Sequence, residues 1–170
     1  MKFRTVGTLL AAGVLALGAA CTTAEQGDGE AYAMAMPDTT AEALWAHMAG
    51  YAEDWHVWPG KGELYMGTEP HGMLLTTYLN DLALDALTNK AGVMPVGAVV
   101  VKENYMPDST LAAITIMYKS EGYNPDVNDW FFVKRMADGT VAASGRVGGC
   151  TGCHSQVAAN DYLFTGSLSQ

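Results

Sequence analysis

Near its end the chain reads Cys150-Thr151-Gly152-Cys153-His154, a C-x-x-C-H run, and no other feature restricts the fold as tightly. Two thiols one helical turn apart, followed at once by an imidazole, have the spacing at which thioether bonds to the two vinyl groups of a haem leave the histidine facing iron. A chain of this kind folds around a flat group that it holds permanently. Other uses of paired cysteines compete less well. A redox dithiol wants C-x-x-C after a strand in a βαβ unit, and no such unit precedes Cys150. A zinc site wants a second pair of soft ligands, and Cys21 is the only other cysteine. A disulfide across two intervening residues is usually strained.

The place of the motif narrows the kind of haem protein. Small electron carriers put C-x-x-C-H early and bring a methionine ligand from downstream, whereas His154 has only 16 residues after it and no methionine among them. A sixth iron ligand therefore comes from upstream, or the iron is five-coordinate with an open face suited to ligand binding or catalysis. Met117 is one upstream candidate, although a methionine on an alternating strand is ordinarily core, and the chain has 10 of them. The other histidines raise the same question. His47 falls on a helix, His56 between tryptophans in a loop and His71 in the tight turn Pro70-His71-Gly72, and none is taken as a ligand.

The first 20 residues read as an export signal: Lys2 and Arg4, an apolar run from Val6 to Leu17, then Gly18-Ala19-Ala20 before Cys21. The run is too short for a permanent membrane span. Two kinds of processing are open, lipidation of Cys21 as in a bacterial lipoprotein or ordinary cleavage near Ala20. A lone thiol in an oxidising compartment favours the lipid. Either outcome implies a periplasmic protein, in the first case attached to a membrane through Cys21. Residues 21–40, rich in Thr, Gly, Ala and acid, read as a flexible tether, and residues 41–170 as a single domain. Without the signal the formal charge moves from -9 to -11, which argues against nucleic acid or anionic lipid as a partner. A homodimer is compatible with the sequence but not required by it.

Along the domain, Thr39 and Glu42 form a capping box for a helix running to about Ala52. Residues 54–72 carry too many Gly and Pro for a regular element and read as a loop anchored by Trp55 and Trp58. Met73–Leu79 reads as a strand, followed by a short helix capped by Asn80 or Asp81. Ala98–Tyr105 and Leu111–Lys119 are rich in Val, Ile, Thr and Tyr and predict an antiparallel hairpin. Trp130–Arg135 and Val141–Ser144 flank a turn at Asp138-Gly139 and predict another. The fold class is α+β, mainly an antiparallel sheet with a few flanking helices and the haem packed on the sheet near the C-terminus. If Met106 faces Leu111 across the turn, Val100 faces Met117 and Lys102 faces Thr115, all on one side of the sheet.

The segments Gly97-Ala98-Val99-Val100-Val101-Lys102-Glu103, Met117-Tyr118-Lys119, Asp129-Trp130, Cys150 to His154 and Asn160-Asp161-Tyr162-Leu163-Phe164-Thr165 together resemble the cytochrome P460 family, periplasmic β-fold haem proteins that include the β-type cytochromes c′. The resemblance covers most of Gly97 to Thr165, with only a loose match before Gly97. It implies one covalent haem c, hydroxylamine or nitric oxide as the nitrogen species acted on, and a soluble redox carrier as electron partner. It also places Lys102 on the lysine that bonds the haem edge in the hydroxylamine-oxidising members. Those members carry a glutamate on the neighbouring strand as distal proton acceptor, and the strand pairing leaves Thr115 there. A threonine hydroxyl exchanges hydrogen bonds but is no base near neutral pH, and Glu103 falls on the opposite face. A non-catalytic binder of nitric oxide or carbon monoxide, like a β-type cytochrome c′, is the alternative, as is electron transfer with Met117 as sixth ligand. Tyr162 and Phe164 fall where they would cover the His154 side of the haem.

Overall fold

The computed structural model describes residues 36–170. The export signal, Cys21 and most of the tether lie outside the described residues. In chain order the elements are α1 (Ala41–His47), α2 (Tyr51–Asp54), β1 (His56–Val57), β2 (Tyr65–Met66), β3 (Leu74–Leu79), α3 (Asp81–Thr88), β4 (Val99–Tyr105), β5 (Leu111–Lys119), β6 (Trp130–Met136), β7 (Val141–Gly145) and α4 (Gly148–His154). Short 3₁₀ turns cover Pro125–Val127 and Ser155–Asn160. The strands form one antiparallel sheet in the order β1-β3-β4-β5-β6-β7, with β2 also paired to β3. This is the α+β arrangement that the residue pattern predicts.

The sheet is covered on both faces, which explains why β4 opens with three consecutive valines instead of alternating apolar and polar residues. Val99 and Val101 point with Ile116, Tyr118, Phe131 and Val133 towards α1 and Tyr51, whereas Val100 points with Met117, Trp130 and Phe132 towards α3, Trp58 and the C-terminal segment. In the run Trp130-Phe131-Phe132 the first and third rings thus serve one core and the second serves the other. All three are buried, each contributing on the order of 1.5–3 kcal/mol by leaving water.

Across β4 and β5, Val100 pairs with Met117 and Lys102 with Thr115, as the hairpin register predicts. The turn end differs. Leu111 pairs with Tyr105 instead of Met106, because an irregularity after Asn104 leaves Ala112 as an extra residue. Met106 N–H closes the turn on the Thr110 carbonyl instead, and Asp108 accepts from Thr110 N–H. The bulge absorbs the slip and leaves the deeper register intact.

Two further expectations are corrected. Thr40, not Thr39, caps the first helix, accepting from Ala43 N–H at 3.1 Å, an interaction worth about 1 kcal/mol. The helix stops at His47 because Gly50 takes φ 83° and starts the separate turn α2. The region 54–72 is mostly irregular as predicted, but it contributes the two minimal strands β1 and β2 to the sheet edge. The Tyr118 hydroxyl donates to the Pro37 carbonyl, so the chain is held by the domain slightly before Ala41.

Candidate haem site

The C-x-x-C-H run forms α4, a helix that its own residues do little to support. It begins Gly148-Gly149, has no side-chain N-cap and buries no residue fully, and each interior glycine costs about 1 kcal/mol against alanine. Local bonds hold it: the Val147 carbonyl accepts from the amides of Cys150 and Thr151, and the Thr151 and Ser155 hydroxyls donate to the carbonyls of Gly148 and Thr151. Helical geometry then puts Cys150, Cys153 and His154 on one side of the turn. Both thiols are half-buried and free, and burial pushes the Cys150 thiol up.

His154 is oriented by the segment that follows. Its Nδ1 lies 2.6 Å from the Tyr162 carbonyl oxygen, which can only accept, so the proton sits on Nδ1 and Nε2 keeps a bare lone pair. Burial, aided by the Lys102 charge, holds the imidazole below its ordinary pKa and thus neutral, as a metal ligand must be. Phe164 and Phe132 stand edge-on to it, with ring centroids at 5.3 and 5.6 Å.

Tyr162 can present its carbonyl because Asp161 and Tyr162 both take left-handed backbone, φ 51° and 65°, a conformation that costs a non-glycine residue roughly 1–2 kcal/mol. Asp161 supplies the compensation. Its carboxylate, 2% exposed, accepts from Lys119 Nζ at 2.8 and 3.0 Å, from Met94 N–H at 2.7 Å, from Asn128 Nδ2 at 2.5 Å and from Trp130 Nε1 at 3.3 Å. The residue just before the carbonyl that His154 contacts is thereby bolted to β5 and β6. Nothing in the residue pattern announced this role.

On the sheet side, α4 closes a cleft of about 930 Å³, near the upper end of the roughly 300–1,000 Å³ usual for cofactor sites. Lys102, Thr115 and Lys134 form one row of its floor across β4, β5 and β6. Val100, Met117 and Phe132 form the next row and line the inner recess beside His154. Met117 is 8% exposed and packed in that core. Lys61 joins Lys102 and Lys134 at the cleft, a concentration of cations on an acidic chain. Burial, with Lys61 adding to it, pushes the Lys102 amine down to about 8. The Thr115 hydroxyl is engaged with Asn104 Nδ2 and the Lys102 carbonyl. Glu103 points to the other face, where it accepts from the hydroxyls of Tyr51 and Tyr105 at 2.7 and 2.6 Å.

His71, set aside on its sequence context, lines the same cleft, its ring centroid 6.4 Å from that of His154 with the planes at 90°. Asn104 holds it. Asn104 Nδ2 faces the carbonyls of Lys102 and Ala113, and its Oδ1 accepts from Gly72 N–H and lies 3.0 Å from His71 Nδ1. That wiring makes Oδ1 the acceptor and His71 Nδ1 the donor. Burial and the nearby Lys102 charge push the His71 pKa down to about 4. Gly72 lets the turn sit this close, since a Cβ there would lie 2.5 Å from the Tyr105 amide nitrogen.

The donor set fits a haem: two free thiols a turn apart, a histidine fixed with Nε2 bare, and an apolar recess backed by aromatic rings. Among the described residues no three His, Cys, Asp or Glu side chains gather as a cage for a metal ion. His47 and His56 lie away from the cleft, on α1 and at the sheet edge, where His56 meets Asp81.

No curated protein matches the chain. The family described as Cytochrome P460 matches residues 52–165, about two thirds of the chain, and the match begins well before Gly97, where the resemblance of individual segments fades. It spans β1 to β7, α4, His71, Lys102 and the Asp161 loop. The chain belongs to the cytochrome P460 family and is a cytochrome with haem c as its cofactor.

Proposed function

We propose that this is an exported cytochrome whose haem is attached through Cys150 and Cys153, with His154 as axial ligand, and which oxidises a small nitrogen species, hydroxylamine or nitric oxide, on the side of the haem opposite His154. The observation that carries the reading is Lys102. It lies on the cleft floor, on the sheet face from which Val100 and Met117 line the recess beside His154, and its amine is pushed down to about 8. A lysine in water is almost wholly protonated and no nucleophile at neutral pH, whereas this amine is partly neutral there and available to attack the haem edge, where a C–N bond would replace a C–H bond with two protons released and two electrons passed to an external oxidant such as a peroxide. When bound, the haem supplies the redox-active iron and the coordination site.

The chain's own residues do the rest. Tyr162 and Asp161 fix the tautomer and direction of His154, and the neutral state of His154 keeps Nε2 available. Val100, Met117 and Phe132 exclude water from the recess. Electrons leave to a soluble redox carrier in the periplasm, to whose membrane Cys21 tethers the domain by its lipid. A second reading, reversible binding of nitric oxide or carbon monoxide without turnover, is favoured by Thr115, whose hydroxyl stands where a carboxylate base would be needed and is already engaged. Electron transfer with Met117 as sixth ligand would require that side chain to leave its packed position.

Denaturing mass spectrometry of the haem peptide, paired with an assay of hydroxylamine-dependent reduction of an added acceptor, tests the proposal. A peptide linking Lys102 to the C-x-x-C-H segment through haem, with turnover, is the expected result. A haem held by thioethers alone and no turnover would move the assignment to the gas binder.

A further inference from the structure

The separation of His71 and His154 carries more than a shared cleft. Metal–nitrogen bonds of about 2.0–2.1 Å, with each ring centroid about 1.1 Å behind its nitrogen, put two imidazoles on opposite sides of one metal with centroids roughly 6.3 Å apart. The two rings here stand 6.4 Å apart at 90°. A histidine that only hydrogen-bonds to an iron-bound ligand would stand farther off, because the ligand atoms would lie between. Both rings also carry the second contact that a metal-ligating histidine ordinarily makes. His154 gives its Nδ1 proton to the Tyr162 carbonyl and His71 gives its own to Asn104 Oδ1. Each keeps Nε2 free of any hydrogen bond among the described residues.

We propose that His71 Nε2 is the sixth ligand of the resting iron, so that the haem is held between two imidazoles set at right angles and the nitrogen species binds by displacing His71. Asn104 is the positioning residue for this ligand, anchored by its own bonds to β4 and β5. The turn that carries His71 lies between the minimal strand β2 and β3, and Gly72 is its close contact with β4.

The inference rests on the haem attachment proposed above, and the two fail in different measurements. Attachment and the Lys102 bond are read from the mass of the haem peptide, and the sixth ligand from the spin state of the iron. Full-length, haem-loaded ferric protein is expected to give a low-spin absorption spectrum, the strongly anisotropic low-spin paramagnetic resonance signal of perpendicular imidazole planes, and the near-infrared magnetic circular dichroism of a bis-imidazole haem. His71→Ala is expected to become high-spin. His71→Gly should do the same and return to low-spin when free imidazole is added. Binding of nitric oxide should level off with its concentration in the unmodified protein, where departure of His71 limits the rate, and rise in proportion to concentration in His71→Ala. A high-spin resting protein would overturn the proposal, as would a low-spin spectrum that survives His71→Ala, with a sulfur-to-iron charge-transfer band assigning the ligand to Met117. Should His71→Ala take up no haem, the dichroism of the unmodified protein alone decides between imidazole, thioether and amine.

Discussion

Asp161→Asn tests the way the fold aims His154. The substitution keeps the shape of the side chain and removes its charge, leaving Lys119 Nζ, whose side chain is 6% exposed, without a counter-ion. Removing one partner of a buried pair costs about 3–5 kcal/mol. One amide oxygen also has to serve several donors, and the new amide hydrogens meet Lys119 or the Asn128 amide. Against a total stability of roughly 5–15 kcal/mol for a domain, the loss lowers Tm by about 10–20 °C. The pH dependence gives a second signature. Burial already pushes the Lys119 ammonium below its ordinary range against the pull of Asp161, and losing Asp161 pushes it further. A lysine whose folded pKa lies below its unfolded value of about 10.4 holds fewer protons folded than unfolded in that interval, so stability rises with pH there. The deficit of Asp161→Asn should therefore be largest near neutrality and shrink as pH approaches 10. Urea denaturation of the haem-loaded protein across pH, together with Lys119→Met and the double variant, measures it. The reasoning is refuted if Asp161→Asn costs less than about 1 kcal/mol, or if adding Lys119→Met gives no relief.

Lys102→Arg should abolish the third link to haem, since a guanidinium keeps its proton, and the haem peptide mass should fall to that of two thioethers. In the unmodified protein the link should form faster as pH rises through about 8; at pH 7 an amine of this pKa is neutral about 300-fold more often than one at 10.5. Tyr51, Tyr78 and Tyr105 are all raised by burial and by Glu103, Tyr78 to about 12. Acids raised on folding contribute stability that is full below their unfolded pKa of about 10 and is lost as pH climbs through the folded value. Alkaline titration followed by circular dichroism should thus show unfolding between about pH 10 and 12, and Glu103→Gln, which removes a charge that helps raise these groups, should flatten the pH dependence of stability above pH 10. Replacing both Cys150 and Cys153 by alanine should leave α4 marginal, with amides of residues 148–154 exchanging far faster than those of β4 and β5 in hydrogen-exchange mass spectrometry.

The sheet was legible because its central strands advertise themselves chemically. β4 opens with three valines and β5 carries Ile114-Thr115-Ile116 at its centre, and a short polar turn between them fixes the pairing closely enough to set Lys102 against Thr115. The helix start at Thr40 and the bulge at Ala112 were not legible, since Thr39 and Thr40 are equally good caps and a single extra residue in a strand leaves no mark on an alternating pattern. The C-x-x-C-H run was legible for a different reason. Its chemistry is local, confined to five consecutive residues, and needs no knowledge of the fold.

The rest of the site is assembled across long sequence distances, and this is why it was hidden. Asp161 reads as one acid among eighteen, and its meaning lies in four donors from Met94, Lys119, Asn128 and Trp130. His71 shows the same effect more sharply. Between a proline and a glycine it looks like part of a turn, and a turn it is; what gives it a role is that Gly72 admits the turn against the Tyr105 backbone and that Asn104, 33 residues later, fixes its ring opposite His154. The sequence left two possibilities, an open iron or a sixth ligand from upstream, and the local context of His71 gave no reason to choose it among the upstream candidates. On the proposal above, the turn before β3 brings the ligand, and whether the iron is open at rest is decided by that imidazole and by how readily it is displaced.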